Sequence, residues 1–274
     1  MEDTRLGENA VTVARSAVSG ATVLSVAAVL LAWQVASLFF TPGIFPGLGR
    51  LAADLSVVLA GNGRHRLVDH VPVTLLRVVV GFAVATAVGT LFGTAMGTRR
   101  RAERYLLATT LVLLGVPAIV WAFVLVSWFG LTSLLVPVAT ITLVVVPYVT
   151  INVWEGIQDV DYRLVEMADA YEVGRVQRLT GVYLPQIGPY LFSTVRIAFA
   201  ISWKIVLIAE MFGATHGVGF AINYYFTRDA TGMVVAWALP IMMLVYALDR
   251  LLNRVERRFF DWRATDVATG GVGA

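Results

Sequence analysis

Long apolar runs separated by short polar segments dominate the pattern of this 274-residue chain. A helix needs about 20 apolar residues to cross about 30 Å of hydrocarbon. Six runs approach or exceed that length, at residues 21–41, 73–97, 106–129, 131–153, 190–212 and 231–252. The pattern predicts an all-α integral membrane protein with about six transmembrane helices, because helices satisfy their own backbone in lipid.

Composition supports this class. Hydrophobic residues make up 58% of the chain, which is more than a soluble domain with one buried face per helix requires. Acidic residues in the first 20 positions argue against a cleaved signal peptide, so the first run is predicted to be a retained helix. The chain has no cysteine, and its three histidines fall outside the apolar runs. We therefore expect no metal site.

The arginines are distributed unevenly between the two sides of the predicted membrane protein. If the N-terminus is cytoplasmic, 14 arginines lie in cytoplasmic segments and 4 in outer segments. The positive-inside rule then places both termini in the cytoplasm. The net charge of +3 is explained by this topology, and no nucleic-acid partner is expected. The predicted organisation is a cytoplasmic segment at 1–20, a transmembrane domain at 21–262 and a tail at 263–274.

Two further patterns concern helix packing. Small residues recur every four positions in the second run, which predicts a ridge where another helix approaches closely. The ridge residues are Gly81, Ala85, Gly89, Gly93 and Gly97. Packing within one subunit is favoured over a subunit interface. Between the first two runs, Leu48, Leu51, Leu55 and Val58 predict a short amphipathic helix on the outer surface.

A polar, helix-patterned interruption at about residues 154–189 separates the fourth and fifth runs. Val160, Leu164, Ala168 and Tyr171 lie on one helical stripe, with charged residues beside it. Gly174 is predicted to supply a turn, followed by a second short helical piece that ends at Leu184–Pro185. Such a cytoplasmic hairpin, held between two spans, can transmit force from a soluble partner.

The hairpin resembles the coupling loop of inner-membrane permease subunits of binding-protein-dependent ABC importers, whose signature is E-A-A-x-x-x-G followed by I-x-L-P. Glu166, Met167 and Ala168 match the opening triplet with one change, and Val182, Leu184 and Pro185 match the close. The signature glycine falls on Glu172. We expect Gly174, two residues later, to provide the turn instead.

The resemblance extends over about residues 42–262 and is strongest to the nitrate, sulfonate, taurine and bicarbonate group. Where that group often has a second proline in the third span, this chain has Phe123. The matching segments are Thr74–Arg77 with Gly81 and Phe82, Trp128–Gly130, Asn152 with Gly156 and Asp161, Arg196, Ala209–Met211 and Gly217–Gly219.

The resemblance implies a type I importer permease in a prokaryotic inner membrane, surrounded by lipid. It implies a homodimer that encloses the path, two ABC ATPase subunits that use ATP and Mg, and an extracytoplasmic solute-binding protein. The chain itself would bind no cofactor. The residues implied in coupling to the ATPase are Glu166, Met167, Ala168, Asp169, Glu172, Gly174, Leu184 and Pro185.

The chain carries no phosphate-binding loop of the Walker A type. Such a loop ends a glycine-rich turn with Lys-Ser or Lys-Thr. The single lysine, Lys204, stands in AISWKIV without a nearby glycine. The energy for transport must come from another chain, so this chain is predicted to be a transport subunit without enzymatic activity of its own.

Several residues in the spans are candidates for the translocation path: Pro117, Phe123, Trp203, Lys204 and Glu210. Lys204 either attracts an anion in a wet path or pairs with a group on another helix, since a charge at this depth costs about 2.5–3.5 kcal/mol. Glu210 is a gate or a packing residue. Pro117 and Pro240 either line the path or only kink their helices. Arg77 and Arg196 lie within about two turns of a span end, and we expect them to snorkel.

The substrate expected from the resemblance is a small anion such as a sulfonate, nitrate or taurine. A pyrimidine or another vitamin precursor is the alternative within the same importer class. An ion-coupled secondary transporter is less favoured, because most of the apolar runs lack acidic residues.

Overall fold

The computed structural model describes residues 20, 22–132 and 134–260, with side chains left undescribed at 253 and 255–260. The predicted terminal segments, apart from residue 20, lie outside the described residues. All regular elements in the described part are helical. They are α1 Thr22–Ser37, α2 Leu48–Ala60, α3 Leu67–Thr98, α4 Arg100–Gly115, α5 Ala118–Phe129, α6 Leu135–Gln158, α7 Tyr162–Ala170, α8 Arg175–Arg178, α9 Leu184–Gly213, α10 Val218–Phe226 and α11 Thr231–Phe260.

Among the described residues, four helical stretches are long and apolar enough to cross a membrane. They correspond to the second, fourth, fifth and sixth predicted runs and cover residues 67–98, 135–158, 175–213 and 231–252. The first run forms α1, which is shorter. A fifth crossing exists if the bent pair α4 and α5 counts as one span. The all-helical membrane architecture is confirmed.

The third predicted run is not a single straight helix. It is broken between α4 and α5, whose axes meet at 93°. Val116, the residue before Pro117, has an extended backbone with φ −79° and ψ 121°. A residue before proline avoids helical angles because the proline ring collides with it. Of the two possibilities at Pro117, a broken helix or a kink, the structure has the break.

The main core is formed by α3, α6 and α9. The small residues of α3 pack against α6 of the same chain. A Cβ added to Gly81 would lie 2.8 Å from Ile141, and one added to Gly89 would lie 2.6 Å from Val149. Because a side chain cannot fit there, the ridge allows close helix contact within one chain, which confirms the prediction.

The fifth predicted run extends further than expected at its N-terminal end. α8, a π-helical turn at Leu179–Tyr183 and α9 form one helical stretch of 39 residues, Arg175–Gly213. Leu184 and Pro185 begin α9 and do not end a separate helix. The π-turn shifts the hydrogen bonds by one residue just before Pro185, where a proline has no N–H to donate. The helix therefore continues through the signature proline.

A smaller cluster packs α2, α10 and α11 together around Val58, Val218 and Trp237. α2 corresponds to the predicted amphipathic helix, and its Leu51 and Val58 are buried. This cluster lies at the start of α3 and the end of α9, opposite the hairpin. We call it the outer end, after the predicted topology.

Candidate functional site

The first helix of the hairpin, α7, begins at a side-chain cap. The Asp161 carboxylate accepts a hydrogen bond of 3.0 Å from the backbone N–H of Arg163. Its other oxygen lies 3.0 Å from the Arg163 guanidinium. The Arg163 side chain, followed by this backbone bond, lowers the pKa of Asp161 below its usual value. An aspartate at this position satisfies an N–H group that the first helical turn leaves free.

The end of α7 explains how the hairpin turns without the signature glycine. Glu172 adopts the left-handed region itself, with φ 54°. The N–H of Val173 donates to the Ala168 carbonyl at 2.9 Å, and the N–H of Glu172 donates to that of Asp169 at 3.0 Å. These two bonds define a Schellman motif, in which glycine usually occupies the left-handed position. The backbone keeps the turn although a glutamate replaces the glycine.

Gly174 does not supply this turn, so that prediction is wrong. Its φ of −60° and ψ of 152° are extended angles that other residues adopt easily. A Cβ added there would meet no atom within 4 Å. The nearest glycine is therefore not the turn residue. The helix cap forms the turn at the signature position, which Glu172 occupies.

Polar contacts fasten the hairpin to the start of α9. Asp169 of α7 forms an ion pair with Arg178 of α8. The Gln186 side chain accepts a hydrogen bond of 2.8 Å from the N–H of Asp161. The Tyr190 hydroxyl also donates to Asp159. The hairpin is therefore joined to the start of α9 by hydrogen bonds from both backbone and side chains.

The exposed surface of the hairpin combines apolar and acidic residues. Leu164, Met167 and Tyr171 are exposed, whereas Val165 and Ala168 are buried against the protein. The predicted apolar stripe is thus only half buried, because Val165 takes the inward place assigned to Leu164. Glu166, Glu172, Gly174, Leu184 and Pro185 are also exposed. Seven of the eight predicted coupling residues are accessible, and Ala168 is a packing residue.

A buried ion pair joins α3 to α9 at the outer end. The Arg77 guanidinium donates to the Glu210 carboxylate at 2.6 Å, and both side chains are fully buried. The hydroxyl of Thr74 lies 2.9 Å from both oxygens of Glu210. Arg77 therefore does not snorkel, which corrects the prediction. Arg196 is half-exposed and lies 3.3 Å from Asp249 of α11.

The loop between α9 and α10 completes this network. Arg77 also donates to the His216 carbonyl at 2.6 Å, and the N–H of Gly219 donates to Glu210 at 2.9 Å. Gly217 has a φ of 115°, and a Cβ there would overlap the Glu210 carboxylate. We call Thr74, Arg77, Glu210 and the Gly217–Gly219 loop the outer clamp. Two span charges of opposite sign were the signal in the sequence that could have indicated the pair.

Folding also brings the three histidines together beside the outer clamp. His65 Nδ1 lies 3.2 Å from His70 Nε2, and His70 Nδ1 lies 3.0 Å from the N–H of Gly217. The ring of His216 stacks 6.4 Å from that of His70. Their spacing along the chain does not indicate this contact. Over the residues that the structure describes, no group of three ligands suits a metal ion.

The path candidates fall into two groups. Trp203 is 2% exposed and packs against Phe199 in the core, and Glu210 belongs to the outer clamp. Lys204 and Phe123 are exposed on α9 and α5, and the Phe123 ring packs 4.8 Å from that of Phe212. Pro117 is also exposed, at the break between α4 and α5. Only the second group can meet a solute in the single chain.

Comparisons with known proteins point in one direction. Residues 85–261 match the family described as binding-protein-dependent transport system inner membrane component. The aliphatic sulfonates transport permease protein SsuC of Escherichia coli is 28% identical, over 85% of this chain and 88% of its own. The nitrate import permease protein NrtB of Synechococcus elongatus is 25% identical, over 83% and 85%. A structure of the MetNI methionine ABC transporter superposes with a TM-score of 0.55 at 16% identity, over 68% of this chain and 94% of that one.

Proposed function

Because this chain belongs to the binding-protein-dependent transport system inner membrane components, an ABC importer permease family, we propose that its hairpin couples a separate ATPase to the movement of a small oxyanion. Two copies of the chain would enclose the path, and a solute-binding protein would deliver the substrate. ATP and Mg would be used by the two ATPase subunits.

The observation that carries the coupling role is the exposed apolar and acidic face of α7. Met167 is 51% exposed and Tyr171 is 79% exposed. Surfaces of this kind next to charged residues are typical of protein-binding sites. The side chains of Glu166 and Glu172 form no hydrogen bond or ion pair within the described part of the chain, so both carboxylates are available to a basic partner.

The helix that follows supplies the mechanical link. Residues 175–213 form a helical stretch of 39 residues, which corresponds to roughly 58 Å at 1.5 Å per residue. The hairpin is bonded to the start of α9, while Lys204 and Glu210 lie toward its other end. A movement of the hairpin would thus be passed on to the middle of α9, because no flexible loop separates the two.

The coupling role is tested by co-expressing the chain with its ATPase and binding protein and measuring ATP-dependent uptake in vesicles. Glu166→Arg and Met167→Asp should each lower both uptake and ATPase co-purification at least about tenfold, as loss of a central contact does. Arg254→Glu is the matched charge reversal on an exposed residue of α11. Hairpin variants that bind the ATPase and transport like Arg254→Glu would contradict the proposal.

Lys204 carries the proposal that the substrate is an anion. It is exposed past the middle of α9, and its ammonium group forms no hydrogen bond or ion pair with the residues described here. A lysine facing hydrocarbon at that depth costs about 2.5–3.5 kcal/mol, so a wet path is the better environment. Two relatives carry names for sulfonate and nitrate import, and both substrates are small oxyanions.

Uptake kinetics test the role of Lys204. Lys204→Met should raise the KM for an alkanesulfonate or nitrate about tenfold, while Lys204→Arg, which keeps the charge, should retain most of the affinity. Unchanged KM and rate in Lys204→Met would remove this residue from the path and leave the coupling role intact.

A further inference from the structure

A cavity with a basic lining lies where α3 ends and α4 begins, on the same side as the hairpin. Its volume is about 780 Å³, and Arg99, Arg100 and Arg104 line it against a single carboxylate, Glu103. Gln158 at the end of α6 and Tyr162 at the start of α7 also line it. The cavity is thus large enough for a polar head group of moderate size.

The arginines of this cavity are not used by the fold. Within the described residues, the side chains of Arg99, Arg100 and Arg104 form no ion pair or hydrogen bond. Three guanidinium groups form a suitable site for a phosphate.

The position of the cavity relative to the membrane narrows the source of that phosphate. Arg99 directly follows α3, a span of 32 residues, so the cavity lies at a membrane surface. Leu107 lines the cavity, and the exposed Leu111 and Val112 continue the apolar surface along α4. Acyl chains could lie on this surface while the head group enters the cavity. A second cavity beside it is lined by Glu103, Glu155 and Asp159, which would repel an anion and bound the site.

We propose that this arginine cavity binds the phosphate of an anionic membrane phospholipid. Basic cavities between spans at the cytoplasmic surface are known to suit such head groups. The site is a recess beside an apolar helix face, which suits a lipid head group and its acyl chains. The acidic surface of a partner protein would be expected to bind a flatter patch. The three arginines lie outside the hairpin and are distinct from Lys204, so the proposed transport role can fail without affecting lipid binding.

The test uses the purified full chain in detergent with added phosphatidylglycerol or phosphatidylcholine, followed by native mass spectrometry and thermal unfolding. Phosphatidylglycerol should bind about tenfold more tightly than phosphatidylcholine and raise the unfolding midpoint. Arg100→Gln/Arg104→Gln should lose most of this preference. Arg250→Gln/Arg254→Gln removes the same charge from the end of α11, outside the cavity, and should keep it.

The remaining outcomes overturn the proposal. If both double variants lose the preference equally, the effect is general surface charge. If inorganic phosphate or glycerol phosphate gives the same rise in midpoint at equal concentration, the ligand is a free anion. If Arg100→Gln/Arg104→Gln binds lipid normally but no longer co-purifies with the ATPase, the arginines form a protein contact.

Discussion

The outer clamp and the hairpin lie near opposite ends of α9 and differ in the burial and pairing of their charged side chains. In the clamp, Arg77 and Glu210 are fully buried and neutralise each other at 2.6 Å. In the hairpin, Glu166 and Glu172 are exposed and form no contact of this kind among the described residues. Buried charges that are paired fix a structure, whereas exposed charges beside apolar side chains suit a partner. One helix thus joins a fixed end to an end that is available for binding.

The largest effect is expected where the clamp is broken. Glu210→Gln leaves the Arg77 guanidinium buried without its counter-ion and should destabilise the protein by about 3–5 kcal/mol, enough to lower the yield of folded protein sharply. The measurement is thermal unfolding in detergent, followed by tryptophan fluorescence. Asp249→Asn breaks the half-exposed pair with Arg196 and should cost less than about 1 kcal/mol.

A double variant distinguishes the effect of one unpaired buried charge from the effect of changing the side-chain volume. Arg77→Met/Glu210→Met removes both charges and should recover a large part of the stability lost in Glu210→Gln. If Glu210→Gln and Asp249→Asn lowered the unfolding midpoint equally, the buried pair would contribute no more to stability than the half-exposed one. The same conclusion would follow if the double variant lost more free energy of unfolding than Arg77→Met and Glu210→Met lose together as single variants.

The sequence predicts the helices well because their signal is local. Apolar runs identify the α3, α6, α9 and α11 spans, and small residues every four positions identify the α3 ridge. The break at Pro117 is harder to predict, since a proline in a membrane helix is compatible with both a slight kink and a right-angled turn. Neighbouring helices decide between the two, and the sequence pattern does not contain them.

The site is less predictable because it depends on contacts between distant residues. Arg77 and Glu210 are separated by 133 positions, and each was interpreted alone as a snorkelling or gating residue. The histidines, spread over the chain, gave no indication that His65 and His70 would touch. In contrast, the hairpin was located correctly by its local signature. The error there was one of geometry, since glycine was expected wherever the chain turns.

A moderate effect is expected at the hairpin turn. Glu172 pays a conformational cost at φ 54°, so Glu172→Gly should stabilise the end of α7 by about 1 kcal/mol. Hydrogen exchange of the Val173 amide, which donates to Ala168, should slow about fivefold. Gly174→Ala serves as the control and should change this exchange little, because its backbone is extended and its surroundings are open.

The reverse pattern would show that the turn lies at Gly174 after all. In that case Gly174→Ala would accelerate exchange and Glu172→Gly would leave it unchanged.

The smallest effect concerns acid at the outer end. Burial, and then the positive charges of Arg64 and Arg228, lower the pKa of His65 below its usual value. The folded chain therefore resists protonation, while the unfolded chain takes up a proton as pH falls through about 6.5. Stability should be constant above about pH 7.5 and decrease as pH falls from there toward the lower pKa of the folded state.

Thermal unfolding midpoints between about pH 7.5 and about pH 6 measure this decrease, in a range where most carboxylates remain charged. His65 faces His70, His216, Arg64, Arg228 and Tyr224, so a proton there adds to an already positive neighbourhood. His65→Gln removes one titrating group and should reduce the dependence on pH, while the hairpin variant Glu172→Gly should keep the full slope. If the unfolding midpoint of His65→Gln depended on pH as steeply as that of the unmodified chain, the acid sensitivity would arise from other groups. The charge of the His65 ring would then have no effect on the stability of the outer end.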